Sequence, residues 1–333
     1  MKKNFLLIFG LLFSLYSIAQ NYGNEWINFN QEYYKIKVLE NGFHKVSYQQ
    51  LLDIGFPVDE VNPQEFQLWY RGEQMAIEVH GEQDGSFNTT DNLVFYGQIA
   101  DASLETPLYI NPEFQQHTSY SLYSDTSYYY LTWQESIKGK RIQQLEEITS
   151  SNLVNKVTAT QEIIYSDEYA AGEQDVDLVF KAEFDNGEGW VSPRFGLNRS
   201  SPNNNFKTIV FTGLSGAIKE LNSGTLELGL VGLNDRLHRV EIQVGNSITQ
   251  KYTVPDFESY VNQDVSISLN GQTIVNDSLV IKISCFGGGE YNDYIGLSFV
   301  RLTYQKQLTN VNQPLEKYYV NSVGQKIEVL RKN

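Results

Sequence analysis

The sequence predicts a mainly β protein in which an N-terminal β-rich domain with one short helix is followed by a jelly-roll-like β-sandwich. Its composition favours pleated surfaces, because the 333 residues include 22 tyrosines and 18 phenylalanines but only 2 methionines. Residues 160–304 hold many short apolar segments separated by turn residues, without a helical period. Such spacing is typical of sandwiches and barrels.

The first domain is predicted to span residues 20–155. Residues 33–38 alternate and lead into Asn41-Gly42, a dipeptide that indicates a hairpin with its return strand at 43–46. Further extended segments are expected at 65–70, 74–79, 93–96 and 120–133. The domain is therefore expected to consist mostly of strands.

One short helix is predicted directly after the return strand. Ser47 is a suitable N-cap, and Gln50 stands at the N3 position, where its side chain completes a capping box. Gly55 can end the helix in a left-handed conformation. Leu51 and Leu52 are both expected to face the core.

The second domain is predicted to span residues 156–305, after a polar linker over about 140–160. A polar tail at 306–333 follows, with one more strand near residues 326–330. The strands of the sandwich are expected at 177–184, 207–214, 224–232, 239–245, 249–254, 264–269, 278–285 and 295–304.

The N-terminus has the form of a secretory signal peptide over residues 1–19. Two lysines precede an apolar block at 5–16, and the small residues Ser17 and Ala19 follow it. These small residues place the expected cleavage after Ala19. The apolar block is too short for a membrane-spanning helix. The mature protein is expected to be exported, without membrane insertion, to the periplasm, the outer-membrane surface or the extracellular space.

The charge and the cysteine count exclude several classes of protein. The formal net charge is −15, and a surface this acidic repels nucleic acids and anionic lipids. A single cysteine, Cys285, excludes an intrachain disulfide, so stability must come from hydrophobic burial.

One pair of residues imitates the catalytic dyad of caspase-like cysteine peptidases. Apolar blocks precede both His80-Gly81 and Cys285, and a histidine beside a thiol promotes formation of the nucleophilic thiolate. Against a His80–Cys285 dyad, no helix is predicted between the two blocks, and the pair straddles the predicted domain boundary. Alternation also places Cys285 on the same strand face as apolar residues, which indicates a core position. No catalytic residue is therefore assigned.

Four carboxylates on glycine-rich turns are weak candidates for a calcium ion: Asp84, Asp91, Asp185 and Glu188. Their spacing does not match an EF-hand loop, and turn geometry alone explains these residue types. No other cofactor is expected.

Several motifs, taken in order, resemble the N-terminal region of gingipain-like (family C25) proteins of the PorU type, the sortases of the type IX secretion system. They are GFHKV at 42–46, EFQLWYRGEQ at 65–74, DGSF at 84–87, DNLVFYG at 91–97, SLYSDTSYYYL at 121–131, GEGW at 187–190 and HRVEI at 238–242. Residues 319–327 are also similar to the end of a type IX sorting domain. The resemblance implies two accessory β-rich regions that precede a separate caspase-like catalytic domain, so it assigns no catalytic residue to this chain.

Three functional hypotheses follow. The first is an exported, non-catalytic protein that binds a protein partner in the secretion machinery or cell envelope. The second is a fragment of a C25-type cysteine peptidase whose catalytic domain is missing or separately encoded. The third is a carbohydrate-binding module, suggested by the jelly roll and by aromatic residues such as Trp190 and Tyr260.

Overall fold

The computed structural model describes most of the chain between residues 23 and 307. The described ranges are 23–142, 153–154, 156–173, 182–200, 205–219, 223–246, 250–269, 273–287 and 292–307, with the dipeptides 309–310, 326–327 and 330–331. The predicted signal peptide lies outside them. Within them, no helix is long and apolar enough to cross a membrane.

The described residues form two compact units. The first unit holds residues 23–99 together with those from Thr126 to Ile142, and the second holds Ala100 to Asp125 and the described residues from Leu153 onward. The sequence predicts an unbroken first domain over 20–155, whereas residues 100–125 cluster with the second unit.

Over residues 23–142, the first unit contains two antiparallel sheets and one α-helix, α1. One sheet has the order β1-β7-β3-β4 and the other β2-β6-β5. Their bounds are β1 Tyr34–Val38, β2 Gly42–Ser47, α1 Tyr48–Asp53, β3 Phe66–Tyr70, β4 Glu73–Met75, β5 Glu78–His80, β6 Asn92–Gly97 and β7 Ser127–Trp133. One-turn 3₁₀ helices occur at Pro63–Glu65 and Glu82–Asp84.

The hairpin predicted at Asn41-Gly42 is wrong. Both of its strands form, but they do not pair with each other. Strand β1 pairs with β7 and β2 pairs with β6, so the turn carries the chain from one sheet to the other. Asn41 stabilises this connection between the sheets, because its side-chain oxygen accepts a hydrogen bond from the Ile99 backbone at 2.8 Å. The turn signal was therefore correct, but it did not identify the partner strand.

The capping of α1 is confirmed. Ser47 and Gln50 form the reciprocal hydrogen bonds of a capping box, and Gly55 is left-handed with φ 78°. Leu51 is fully buried, but Leu52 is 44 % exposed, which contradicts the prediction that both face the core. Adjacent helical residues point about 100° apart, so a short helix on a sheet buries one of them.

The second unit is a β-sandwich. Its two antiparallel sheets have the orders β12-β19-β15-β16 and β18-β13-β20-β9. The unit contains β8 Leu153–Val154, β9 Lys156–Ile164, β10 Glu168–Ala171, β11 Glu188–Val191, β12 Phe206–Phe211, β13 Gly224–Gly232, β14 Leu237–His238, β15 Val240–Val244, β16 Gln250–Thr253, β17 Phe257–Glu258, β18 Asn262–Leu269, β19 Leu279–Cys285, β20 Ile295–Gln307, β21 Thr309–Asn310, β22 Lys326–Ile327 and β23 Leu330–Arg331. Residues 100–125 add 3₁₀ turns at Ala102–Leu104, Thr106–Leu108 and Pro112–Phe114.

Seven of the eight predicted sandwich strands are confirmed with small shifts at their ends, and β13 has its predicted bounds. The eighth, at 177–184, falls largely outside the described residues, as does the motif at 319–327. Strand β9 lies where a linker was predicted. Among the described strands β9 pairs with β20 at the edge of the sheet, and its outward positions are polar, so its apolar alternation is weak.

Side chains from the inner faces of both large sheets form the core of the sandwich. Leu226 and Leu228 of β13 meet Ile281 and Ile283 of β19 in one buried cluster. Burial of such side chains supplies most of the stability of a fold that has no disulfide.

We expect Leu228→Ala to lower the free energy of unfolding by about 2–5 kcal/mol, because it removes methyl groups from a site with no solvent exposure. The matched control is Leu104→Ala, at a position 67 % exposed, which should change stability by less than about 0.5 kcal/mol. Urea unfolding followed by tryptophan fluorescence measures both. Equal effects of the two variants would contradict the assignment of this core.

Candidate functional site

Cys285 lies in the core of the sandwich, as strand alternation predicted. Its side chain has no solvent exposure, and its Sγ donates a hydrogen bond to Asp293 Oδ2 at 3.0 Å. Burial, reinforced by the neighbouring Asp293 carboxylate, raises the pKa of the thiol well above its usual range. A thiol held in this way is neither ionised nor accessible to a peptide.

The other oxygen of Asp293 binds a buried histidine. His238 Nδ1 lies 2.5 Å from Asp293 Oδ1, and His238 Nε2 lies 3.0 Å from the Ser259 carbonyl. Both ring nitrogens thus face oxygen atoms, so hydrogen bonds on two sides fix the orientation of the ring. We call these residues the Cys285–Asp293–His238 cluster.

The backbone around the cluster leaves no space for additional atoms. A Cβ atom at Gly232 would lie 1.9 Å from the Ser259 carbonyl oxygen and 2.5 Å from His238 Nε2. Only glycine therefore allows strand β13 to approach the histidine this closely.

His80 belongs to the first unit and does not take part in this cluster. It ends β5 with an exposed side chain, and its Nε2 lies 3.6 Å from Glu78 Oε1. The hydrogen-bond partner of the Cys285 thiol is Asp293.

The two calcium candidates of the first unit, Asp84 and Asp91, form hydrogen bonds within their own turn. Asp84 accepts hydrogen bonds from the Ser86 backbone at 2.9 Å and from the Asn88 side chain at 3.1 Å. Asp91 Oδ2 accepts from the Asn88 backbone at 2.7 Å. Both carboxylates thus shape the loop that precedes β6.

The two calcium candidates of the second unit, Asp185 and Glu188, also accept hydrogen bonds from neighbouring residues. Glu188 accepts hydrogen bonds from the Asp185 backbone at 3.0 Å and from the Tyr169 hydroxyl at 2.7 Å. Asp185 is buried and accepts from the Asn186 backbone at 2.8 Å. Within the described ranges, no three acidic, histidine or cysteine side chains are grouped as metal ligands.

The aromatic residues suggested for sugar stacking have structural contacts. Trp190 is half-buried, donates from Nε1 to the Leu122 carbonyl at 3.3 Å and meets the Tyr169 ring edge-on. At Tyr260, the backbone carbonyl lies close to the turn at Gly187.

A polar cavity that sequence reasoning missed lies on the second unit. It has a volume of about 380 Å³ and opens on the face of the β18-β13-β20-β9 sheet opposite the core. The sheet forms one wall, and the segment that carries Gln116 and His117 forms the other. Its lining residues are Gln116, His117, Thr118, Glu227, Leu228, Asp264, Val265, Ser266, Phe299 and Arg301.

Three charged side chains cross this sheet face in one row. Arg301 of β20 stands opposite Glu162 of β9 and Glu227 of β13 in the strand register. Its guanidinium contacts Glu162 at 2.6 Å and Glu227 at 3.3 Å, and it covers the Phe299 ring. The cation is therefore already neutralised by carboxylates on both sides.

Two uncharged polar groups in the cavity wall lack partners. Gln116 is 8 % exposed, and its Nε2 finds no hydrogen-bond partner among the described residues; the same is true of His117 Nδ1. Burial, together with the charge of Arg301, lowers the pKa of His117 to about 4, so its ring is neutral at physiological pH. Both atoms are shielded by neighbouring protein atoms, and the Gln116 amide packs against the backbone at Gly189.

Asp264 completes the polar wall. Burial, followed by the nearby charge of Glu227, raises the pKa of this carboxyl above its usual range. Asp264 and Glu227 lie on adjacent strands, two residues apart in register, and point to the same face. The cavity thus offers two acid groups beside one compensated arginine.

The sequence carried only a faint signal for this cavity. Glu227 and Arg301 interrupt strongly apolar strands on alternate positions, which indicates a polar outer face. Gln116 and His117 stand in a polar stretch without any period, and only the fold brings them onto the sheet.

Comparison with known proteins supports the fold. No family model and no curated protein matches this sequence. Dimeric latent PorU from Porphyromonas gingivalis is similar in structure over 88 % of this chain, with a TM-score of 0.53 and 12 % sequence identity. The chain has a PorU-like fold. It spans 26 % of the PorU chain, and the resemblance expected from the motifs is confirmed at the level of the fold.

Two further structures match more loosely. One is the CBM36-1 domain of a multidomain xylanase from the hindgut metagenome of Trinervitermes trinervoides, with 13 % identity, 43 % of this chain, 96 % of that chain and a TM-score of 0.26. The other is the ANX1 ectodomain from Arabidopsis thaliana, with 9 % identity, 89 % of this chain, 83 % of that chain and a TM-score of 0.24. Neither supports a functional argument.

We expect Asp293→Asn to destabilise the protein by about 1–3 kcal/mol, because it disturbs the buried hydrogen bonds that this side chain makes with His238 and Cys285. Asp235→Asn, an exposed acid three residues before His238, is the control and should be almost silent. Thermal unfolding at pH 7 measures both. An unchanged melting temperature in Asp293→Asn would show that the cluster does not contribute to stability.

His117 should make the folded state sensitive to acid. Its folded pKa lies below the unfolded value of about 6.5, so its contribution is intact above pH 6.5 and is lost as the pH falls toward 4. Between these values, wild type should lose about 3 kcal/mol more than His117→Phe in urea unfolding at stepped pH. Asp264 acts in the opposite sense in both proteins, so the difference isolates His117. Parallel pH curves would refute the assignment.

Proposed function

We propose that this chain is an exported, non-catalytic binding protein that holds a protein partner of the secretion machinery or cell envelope. The observation that carries the proposal is the PorU-like fold over 88 % of the chain. In the gingipain-like family, which the motifs resemble, such β-rich regions accompany a separate catalytic domain.

The environment of Cys285 supports a non-catalytic role. The chain has one cysteine, and its thiol is buried, un-ionised and hydrogen-bonded to a carboxylate. A cysteine peptidase needs the opposite: an exposed thiolate beside a histidine that can exchange protons with it.

The surface supports protein binding. The first unit exposes Leu39 and Phe43, at 58 % and 62 %, on the turn before β2 and on that strand itself. Phe43 packs edge-on against Tyr96, so the ring is held in a fixed orientation at little entropic cost. A net charge of −15 favours a partner with a basic surface.

The purified protein should show no thiol-dependent cleavage of a peptide panel, and Cys285→Ala should behave like wild type. Fluorogenic peptides, assayed with and without reductant, provide the measurement. Cleavage that depends on reductant and disappears in Cys285→Ala would overturn the non-catalytic role and favour the peptidase-fragment hypothesis.

Crosslinking in the source cells tests the partner. The chain should appear in one discrete complex with an envelope or secretion protein, and Leu39→Ser/Phe43→Ser should reduce its yield at least about tenfold, since a buried aromatic anchor contributes strongly to binding. Leu104→Ser, an exposed leucine of the second unit, is the matched control. Recovery of the chain only at its own mass would contradict the proposal.

A further inference from the structure

Strand β12 leaves one row of backbone hydrogen-bonding groups at the edge of its sheet. Among the described strands, β12 pairs with β19 on one side, and the register runs without a bulge over all six of its residues. The Cys285 N–H donates to the Asn205 carbonyl at 2.8 Å, so this pair is a hydrogen-bonded one. Hydrogen-bonded and non-hydrogen-bonded pairs alternate along an antiparallel ladder. The N–H and C=O groups of Phe206, Thr208 and Val210 therefore point away from β19.

The side chains at this edge are exposed and mostly apolar. Phe206 and Val210 are 41 % and 49 % exposed on the outer face of the sheet, and Thr208 stands between them. Ile209 and Phe211 alternate with them and pack into the core, which holds the strand in place. A regular edge strand with an apolar outer face is a site where another strand can add to the sheet.

Charge or short length protects the other edges of the two large sheets, as far as the structure describes them. By the same alternation, the backbone groups of Lys156 and Glu162 in β9 and of Asp264 in β18 point outward. Strand β16 is four residues long and has Lys251 at an outward position. Charged residues at such positions discourage pairing with another chain. The corresponding positions of β12 carry no charge.

We propose that β12 binds an extended segment of another protein, which adds to this four-stranded sheet as a fifth strand. A polypeptide is the ligand that offers alternating N–H donors and C=O acceptors at the spacing of the edge. A second copy of this chain fits less well, because a net charge of −15 opposes self-association. An edge of six residues also suits a peptide better than a stable dimer, which needs a large interface. This inference goes beyond the proposed function, because the edge belongs to the second unit.

Lys282 of β19 makes the charge beside this edge positive, although the chain as a whole is acidic. It stands opposite Thr208 in the register, and its Nζ lies 4.2 Å from the centre of the Phe206 ring. The acid diagonal to it on β15, Glu241, binds Lys251 at 3.2 Å. Neighbouring strands lie about 4.8 Å apart, so a glutamate opposite Thr208 can reach across the short threonine to the Lys282 amine. The segment therefore carries apolar or β-branched residues opposite the two apolar residues of the edge, and a carboxylate between them.

The probe is a fluorescein-labelled heptapeptide, TVTETVT, which places valine, glutamate and valine on one face of a strand. Fluorescence polarisation with the purified chain should show saturable binding with a Kd below about 1 mM. Exchange of the glutamate for lysine should weaken binding at least about tenfold, because it brings a cation toward Lys282. N-methylation of the glutamate should abolish binding, because it removes the N–H that would donate to the Thr208 carbonyl. Absence of saturable binding, or equal binding by either altered peptide, would overturn the proposal.

Variants of the chain locate the site. Thr208→Pro removes an outward N–H, and proline is tolerated at such positions of edge strands, so the variant should fold and bind the peptide at least about tenfold more weakly. Thr160→Pro, at an outward position of β9, is the matched control and should bind like wild type.

Val210→Asp is a second variant that leaves the backbone unchanged and repels the glutamate of the peptide. Its control is Ser268→Asp, at an exposed edge position of β18. Circular dichroism verifies that each variant is folded. Wild-type binding by either folded β12 variant would contradict the assignment of the edge.

Two further measurements separate this inference from its alternatives. Leu39→Ser/Phe43→Ser should bind the peptide like wild type, so this proposal and the proposed function can fail independently. Sedimentation equilibrium should show a monomer at the concentrations used for peptide binding. A dimer that Thr208→Pro dissociates would assign the edge to a second copy of the chain and overturn the proposal.

Discussion

The buried carboxylate of Asp293 is the interaction on which one end of the sandwich depends. It joins His238 of β14 and Cys285 of β19 to the segment that enters β20, and so connects both sheets. A carboxylate removed from water is stable only while its oxygens keep their hydrogen bonds. The glycine at 232 and the packing of the Ser259 carbonyl against the histidine follow from this one requirement.

This constraint also decides what Cys285 can do. Its thiol serves as a donor to the carboxylate, which stabilises the neutral form and opposes the ionisation that nucleophilic attack requires. Cysteine, aspartate and histidine build catalytic sites in other proteins. In this core the three side chains are buried and stabilise the packing instead.

The sequence predicted what alternation and local turn chemistry encode. Strand β13, the capping box of Ser47 and the core position of Cys285 follow from periods of two residues and from hydrogen bonds within one turn. The partners of strands β1 and β2 could not be predicted in this way, since the turn residues at Asn41 are the same whether the turn closes a hairpin or joins two sheets. The cavity could not be predicted from the sequence either, because Gln116 and Arg301 are distant in sequence and come together only in the folded protein.

The composition of the cavity explains why a shared fold does not settle function. Its charged wall belongs to the sandwich, where Arg301 and Glu227 are fixed by strand register. Its unpartnered wall belongs to residues 100–125, a connection that can change in length and sequence without disturbing the core. A relative with the same sheets and a different connection would keep the row of charges but lose the amide of Gln116. The two walls therefore have different origins, and a PorU-like fold alone does not determine the chemistry of this cavity.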